Sequence, residues 1–357
     1  MEIIDKQGRL FGTVNVVDAL VVLLVLAVGV AGVALVVGGG GGGPSGPMET
    51  KYVTLDLGSQ PEFVIEQVDT GDNVTLDGSK GATVTDTYFT PAANGTSGVV
   101  RVNVTHVANA TLSVAGEPVR IGRQLGVTSD AYALNATVRD VGENAELPVT
   151  DRRTVLRGTV TDAVANRISA GQEIRVAGNR VATVEDVAAY NADTQGQRTL
   201  YLDASVRTYA SGDTARFGET RVETGQTVTL PIAGTRFSGT IDRVGGGFDQ
   251  VTESVLTSGV VPADVARQIE TGDSYEVAGQ DIATVENVTA YDTDNPDRKR
   301  VYLGISVETL GHSGELQFGP RSLQRGTTLP FRTDRYEFES ELLRRGTADL
   351  QSTTEDA

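Results

Sequence analysis

From about residue 51 onward, apolar and polar side chains trade places along the chain. Glu173-Ile174-Arg175-Val176, Thr227-Val228-Thr229-Leu230 and the run from Leu200 to Val206 alternate with a period of two. That is the pattern of strands with one buried face, and Gly, Asn and Asp clusters bound each run. A different spacing interrupts it at residues 262–269, which begin with Pro262 and set Val265 and Ile269 four apart. This predicts a short helix, with counterparts at 162–168 and 61–68. Residues 19–37 differ in kind: ALVVLLVLAVGVAGVALVV has no charged or polar side chain. As a helix they would extend about 28 Å, close to the hydrocarbon thickness of a bilayer. The run exceeds the apolar core of a cleaved signal peptide and lacks a small-residue cleavage site, so it predicts a retained transmembrane helix.

The chain also repeats itself. Val176-Ala177-Gly178 returns as Val277-Ala278-Gly279, Tyr190 as Tyr291, Tyr201-Leu202 as Tyr302-Leu303, and Phe217-Gly218 as Phe318-Gly319, all at an offset of 101. A fainter copy occupies 52–142, where Thr70-Gly71-Asp72 matches Thr271-Gly272-Asp273. Within one unit there is a hint of two halves: Ala170-Gly171-Gln172 leads towards Val184, and Thr224-Gly225-Gln226 towards Ile241. Three units of domain size follow. Two similar halves suit a small closed or nearly closed β-barrel, which removes strand edges; a β-sandwich is the alternative.

The predicted organisation is therefore mainly β. A cytoplasmic segment (1–18) precedes the transmembrane helix (19–37) and a Gly/Pro-rich linker (38–50). Three tandem β repeats follow at 51–150, 151–250 and 251–346, each with one short helix, and then a disordered acidic tail at 347–357. Six consecutive glycines, 38–43, with Pro44 and Pro47 behind them, read as a flexible tether. Lys6 and Arg9 precede the span, while residues 38–50 carry no cation. The positive-inside tendency then puts the amino terminus in the cytoplasm and the β domains outside the cell.

Composition sharpens this picture. The 357 residues carry 47 Asp+Glu against 30 Lys+Arg, a net charge of −17, with four lysines and no Cys or Trp. Absent cysteine removes disulfides, thiolate metal sites and a Cys nucleophile. The acidic balance argues against a broad nucleic-acid interface. Such a surface self-repels unless concentrated salt screens it, and at molar salt the Debye length falls to about 3 Å. The composition points to a salt-loving archaeon.

At the amino terminus, Ile3-Ile4-Asp5-Lys6-Gln7-Gly8-Arg9-Leu10-Phe11-Gly12, then Asn15 and Asp18, lead into the span. This opening resembles an uncharacterised membrane-anchored domain-of-unknown-function family of haloarchaea and bacteria, with the pattern I-D-x-x-G-R-L-F-G-x-x-N-x-x-D before one hydrophobic helix. The resemblance implies a single-span envelope protein and no reaction. Physically, Gly8 and Gly12 permit turns, Arg9 suits lipid head groups, and Phe11 suits the interface. Asn15 and Asp18 can cap the helix start. Asp5, Gly8, Arg9, Phe11, Gly12, Asn15 and Asp18 form a candidate docking motif for a membrane partner, with plain anchoring the simpler reading.

Candidate chemistry is sparse. Asp69-Thr70-Gly71 spells the aspartic-protease triplet, but its repeat counterparts, Ser169-Ala170-Gly171 and Glu270-Thr271-Gly272, lack the Asp that a carboxylate dyad needs. Asp292, Asp294, Asn295 and Asp297 crowd one loop, yet a calcium loop would want Gly and Glu where Asp297 and Leu303 stand; a solvated hairpin tip is the simpler reading. His106 and His312 have no nucleophile elbow beside them and read as surface or turn residues. Asn73, Asn94, Asn103, Asn109, Asn135 and Asn287 each open an N-x-Ser/Thr sequon, and five fall in the first unit, as suits an exterior, glycosylated domain.

No catalytic residue, cofactor or metal site is expected. The leading expectation is a non-enzymatic, membrane-tethered protein whose β domains bind another envelope protein or a surface polysaccharide. A carboxylate-dependent hydrolase of envelope glycans is the alternative; it would need two carboxyl groups roughly 5–9.5 Å apart in a concave pocket. An accessory subunit of a membrane complex, acting through the amino-terminal motif, is the third.

Overall fold

The structure is a computed structural model that describes residues 9–10, 14–15 and 46–349, apart from 193, 195, 313 and 314. The predicted span (19–37), most of the linker and the tail from 350 lie outside the described residues. Among the described residues no helix is long and apolar enough to cross a membrane. A small hairpin pairs β1 (Arg9–Leu10) with β2 (Val14–Asn15).

The first β domain runs β3 (Met48–Gln60), α1 (Glu62–Ile65), β4 (Asn73–Leu76), β5 (Lys80–Ala92) and β6 (Gly95–Val107). A side hairpin, β7 (Ser113–Val114) and β8 (Glu117–Pro118), precedes β9 (Gln124–Thr128) and β10 (Ala133–Gly142). Six strands hydrogen-bond in the ring β10-β3-β6-β5-β4-β9. Ring closure leaves no free edge.

The second domain repeats the plan with β11 (Val149–Thr161), α2 (Asp162–Ala165), β12 (Glu173–Val176), β13 (Asn179–Asn191), β14 (Gln197–Ser211), β15 (Thr214–Phe217), β16 (Thr220–Arg221), β17 (Thr227–Ile232) and β18 (Thr235–Val244). The third follows with β19 (Asp249–Pro262), α3 (Ala263–Ala266), β20 (Ser274–Val277), β21 (Gln280–Asp292), β22 (Arg298–His312), β23 (Glu315–Phe318), β24 (Arg321–Ser322), β25 (Thr328–Arg332) and β26 (Glu337–Arg345). In these two the sheet curls into a half-barrel whose end strands, β12 with β17 and β20 with β25, lie close without joining in a ladder. Each domain thus has one curled sheet, and the sandwich alternative does not hold.

Each sheet is two copies of one half. The Gly71 amide donates to the Val84 carbonyl (2.8 Å) and the Val84 amide to the Asp72 carbonyl (2.9 Å). The same exchange links Gly122 with Val138, Gly171 with Val184, Gly225 with Ile241, Gly272 with Val285, and Gly326 with Leu342. All six glycines have φ between 80° and 100°, where a Cβ would be strained. Just beyond each apolar partner the ladder slips by one residue, as between Val84 and Asp86 or between Val138 and Asp140. Each bulge bends its strand and adds twist, which curls the sheet.

The helices are single turns, shorter than predicted. In α3 and its continuation the buried pair is Ala266 with Ile269, not Val265 with Ile269. A segment this short is held by its apolar contacts rather than by helix propensity. The first domain keeps its own apolar core, built around Leu55, Leu76, Val102 and Leu125. Domains two and three share one continuous core.

Candidate functional site

Two joints link the three domains, and they share one geometry. At the first, Thr90 of β5 packs on Gly218 in the turn after β15, where an added Cβ would come within 2.8 Å of the Thr90 hydroxyl. Two residues earlier on the same face, the Tyr88 hydroxyl donates to the Arg207 carbonyl (2.9 Å), with the Arg216 carbonyl 3.2 Å away. At the second joint, Tyr190 of β13 occupies the position of Thr90. It rests on Gly319, where a Cβ would meet its ring at 3.0 Å, and on Phe318, edge-on at 5.4 Å. Its hydroxyl donates to the Glu308 carbonyl (3.1 Å), the counterpart of Arg207. Burial pushes both phenols well above their usual pKa range, so they remain protonated donors at neutral pH.

The first joint opens on one side into a cleft of about 1500 Å³. Tyr52, Arg101, Arg139 and Asp140 wall it from the first domain, and Tyr209 and Arg216 from the second. Arg101 lies buried and donates to Asp140 (2.9 Å), to the Asn144 carbonyl (2.9 Å) and to the Thr54 hydroxyl. Arg139 is the bulge residue after Val138, so it leaves the barrel wall, and its Nε donates to Asp56 at 2.9 Å. Burial, and then the Asp140 charge, push Tyr209 up from its ordinary value. Each of these two carboxylates is engaged by an arginine. The concave wall sets guanidinium and phenol donors beside the carboxylates of Asp56, Asp140, Glu143, Glu146 and Glu219, an arrangement that suits holding a polar ligand.

The sequence motifs are scattered rather than brought together. Arg9 and Asn15 face each other in the β1–β2 register; Asp5, Gly8, Phe11, Gly12 and Asp18 lie outside the described residues. Asn15 sits in a strand rather than at a helix start, with β-branched Val14 beside it and a paired strand opposite. His106 is buried in β6, correcting its reading as a surface residue. Asp69-Thr70-Gly71 is the turn before β4, where the Asp69 amide donates to Asp72. Asp292 pairs with Lys299 at the β21–β22 tip, and no group of three or more metal-binding side chains stands together among the described residues. Of the sequons, Asn94, Asn109 and Asn135 are exposed, and Asn135 borders the cleft. Asn73 is exposed and accepts from the Thr83 hydroxyl (3.3 Å), whereas half-buried Asn103 accepts from the Thr83 amide (2.9 Å). Asn287 donates to the Ala348 carbonyl (3.3 Å).

Sequence reasoning missed the cleft. The available signal was departure from the repeat: Arg101 stands where the later units have Asp203 and Gly304.

No curated protein and no solved structure matches the chain. A family model described as a domain of unknown function, DUF4330, matches residues 1–94, ending in the turn between β5 and β6. The chain therefore carries a DUF4330 domain over its first 94 residues.

Proposed function

We propose that this is a single-pass, membrane-anchored envelope protein of a halophile, whose three β domains stand outside the cell and bind another envelope component. Residues 19–37 supply the anchor and the glycine run after them the tether. The acidic surface stays hydrated and tolerable at molar salt. The observation that carries the reading is the cleft at the first joint, with arginine and tyrosine donors from two domains held in register by Tyr88 and Gly218. A concave wall of this kind, lined by donors and carboxylates together, fits the polar surface of another envelope protein or a polysaccharide.

The test is made on intact cells. Protease added outside should remove the β domains, and crosslinking should capture an envelope component. Replacing both Arg139→Ala and Arg216→Ala should cut that capture roughly tenfold, the effect expected of losing charged anchors. Full protection of the domains, or capture unchanged by the double replacement, would overturn the proposal.

A further inference from the structure

We infer that Asn109 is the asparagine of this chain that carries an N-linked glycan, and that the glycan covers the root of the tether. Of the six sequons, five are built wholly or partly into strands. Asn73 opens β4, Asn103 lies in β6, Asn135 in β10 and Asn287 in β21. Asn94 stands in a turn, but the hydroxyl residue of its sequon, Thr96, belongs to β6 and is 2% exposed. Three of these side chains are also engaged: Asn73 and Asn103 accept from Thr83, and Asn287 donates to the Ala348 carbonyl. Thr137, in the Asn135 sequon, is laddered to Asp56 on one side and Gln124 on the other. Asn109-Ala110-Thr111 alone lies wholly between strands, after β6 and before β7, and all three residues are exposed. Asn109 adopts φ 62° in a turn that the Ala110 amide closes on the Val107 carbonyl (3.1 Å). A transferase must draw the tripeptide into its own groove, which a surface loop allows and a laddered strand does not.

The position gives the modification a use. The Ala108 amide, next to Asn109, donates to the Pro47 carbonyl (2.8 Å), where the chain enters β3. Residues 38–47 join that point to the proposed span and, being ten, reach at most about 36 Å. A bulky, hydrated glycan on Asn109 therefore stands over the stretch whose cutting would release all three domains. The donor is a sugar carried on a lipid phosphate outside the cell. The Asn109 Nδ2 nitrogen forms a C–N bond to the anomeric carbon. The C–O bond to the lipid phosphate breaks, its electron pair leaving on that oxygen, and one amide proton passes to a base of the transferase.

This inference rests on reading the β domains as lying outside the cell, and its test separates the two. The full chain is isolated from membranes of its native host, and the peptides holding each sequon are compared by mass spectrometry. The expected result is a glycan mass on the Asn109 peptide, with the other five asparagines bare. Thr111→Ala should abolish that mass and Thr111→Ser keep it, since the sequon asks only for the hydroxyl; Thr111 is exposed, so the fold is not at stake. A broad-specificity protease added to intact cells should release the β domains several-fold faster from the Thr111→Ala strain than from the native one. A bare Asn109, a glycan on any of the other five, or equal release from the two strains overturns the inference, and the envelope reading stands so long as the protease reaches the domains. Domains fully protected from outside would sink both.

Discussion

Opposite the first bulge of each domain, one backbone position carries Arg101, Asp203 and Gly304 in turn, and the chain leaving each domain crosses over it. Asn144 covers Arg101, Gly247 covers Asp203 and Ala348 covers Gly304. Asp203 has no exposed surface, and Arg153, itself half exposed, reaches in with Nε at 3.0 Å and Nη2 at 2.6 Å. A Cβ on Gly247 would stand 2.0 Å from the Asp203 carboxylate, so only glycine passes there. The two partners are unequal. Arg153→Ala strands a charge in the interior and should cost about 3–5 kcal/mol. Asp203→Ala frees an arginine that already touches water and should cost less, about 1–2 kcal/mol. The double replacement should recover part of the Arg153→Ala loss, because Gly304 shows that the fold accepts an uncharged residue at this place. Denaturant midpoints of the three variants give the comparison; equal single-variant losses would refute the asymmetry.

At the scale of elements, the unit of construction is half of one curled sheet, and its legibility in the sequence was partial for a definable reason. From the turn glycine to its apolar partner the distance is 13 residues in every first half (Gly71 to Val84) and 16 in every second half (Gly122 to Val138). The longer second hairpin breaks any fixed-offset comparison of halves, whereas domains two and three align at the single offset of 101. Alternation revealed the strands, since burial in β12, β17 and β9 follows it strictly. It could not reveal the bulges, which add a residue without altering polarity. Domains one and three also share a latch that domain two lacks. The Tyr132 hydroxyl donates to Asp72 (2.9 Å), and the Tyr336 hydroxyl donates to Asp273. In each case burial first, and then the hydrogen bond to the carboxylate, push the phenol above its usual range. The folded chain thus holds these protons where the unfolded chain releases them. Stability from the latches is full below about pH 10, the ordinary phenol value, and falls as pH rises beyond it. Replacing both tyrosines with Phe should flatten that alkaline decline while lowering stability at neutral pH. An unchanged slope between pH 9 and 11, read from thermal unfolding, would count against the latch.

For the whole molecule, what joins the domains decides how many parts unfold. Repeated Tyr190/Tyr291 and Phe217-Gly218/Phe318-Gly319 were visible in the sequence, but their contacts were not, because a repeat shows that positions are equivalent without showing which of them meet. The structure pairs the tyrosine of one unit with the glycine turn of the next, and the two joints are not equal in substance. Domains two and three share one apolar core that includes Tyr190, Tyr275 and Phe318, while the first domain closes its ring around a separate core. Its joint to the second domain combines hydrogen bonds, from Tyr88 and from Arg236 to the Ala93 carbonyl (2.6 Å), with the Tyr88–Tyr209 ring contact (6.0 Å) and Ala177 on the first core. It lies beside an open cleft, and no shared core spans it. Apolar burial couples unfolding strongly, whereas hydrogen bonds bordering water couple it weakly. Calorimetry should therefore resolve two transitions, the first domain alone and the other two together. Gly319→Ala tests the coupling directly. Gly319 has φ 58°, a backbone that side chains rarely adopt, and is followed by Pro320, so the added methyl should both strain the turn and wedge under Tyr190. The joint transition should split or broaden while that of the first domain stays in place, since well-separated sites act independently. A single transition for all three domains, or a Gly319→Ala trace that merely shifts as a whole, would show that the shared core does not set the cooperative unit.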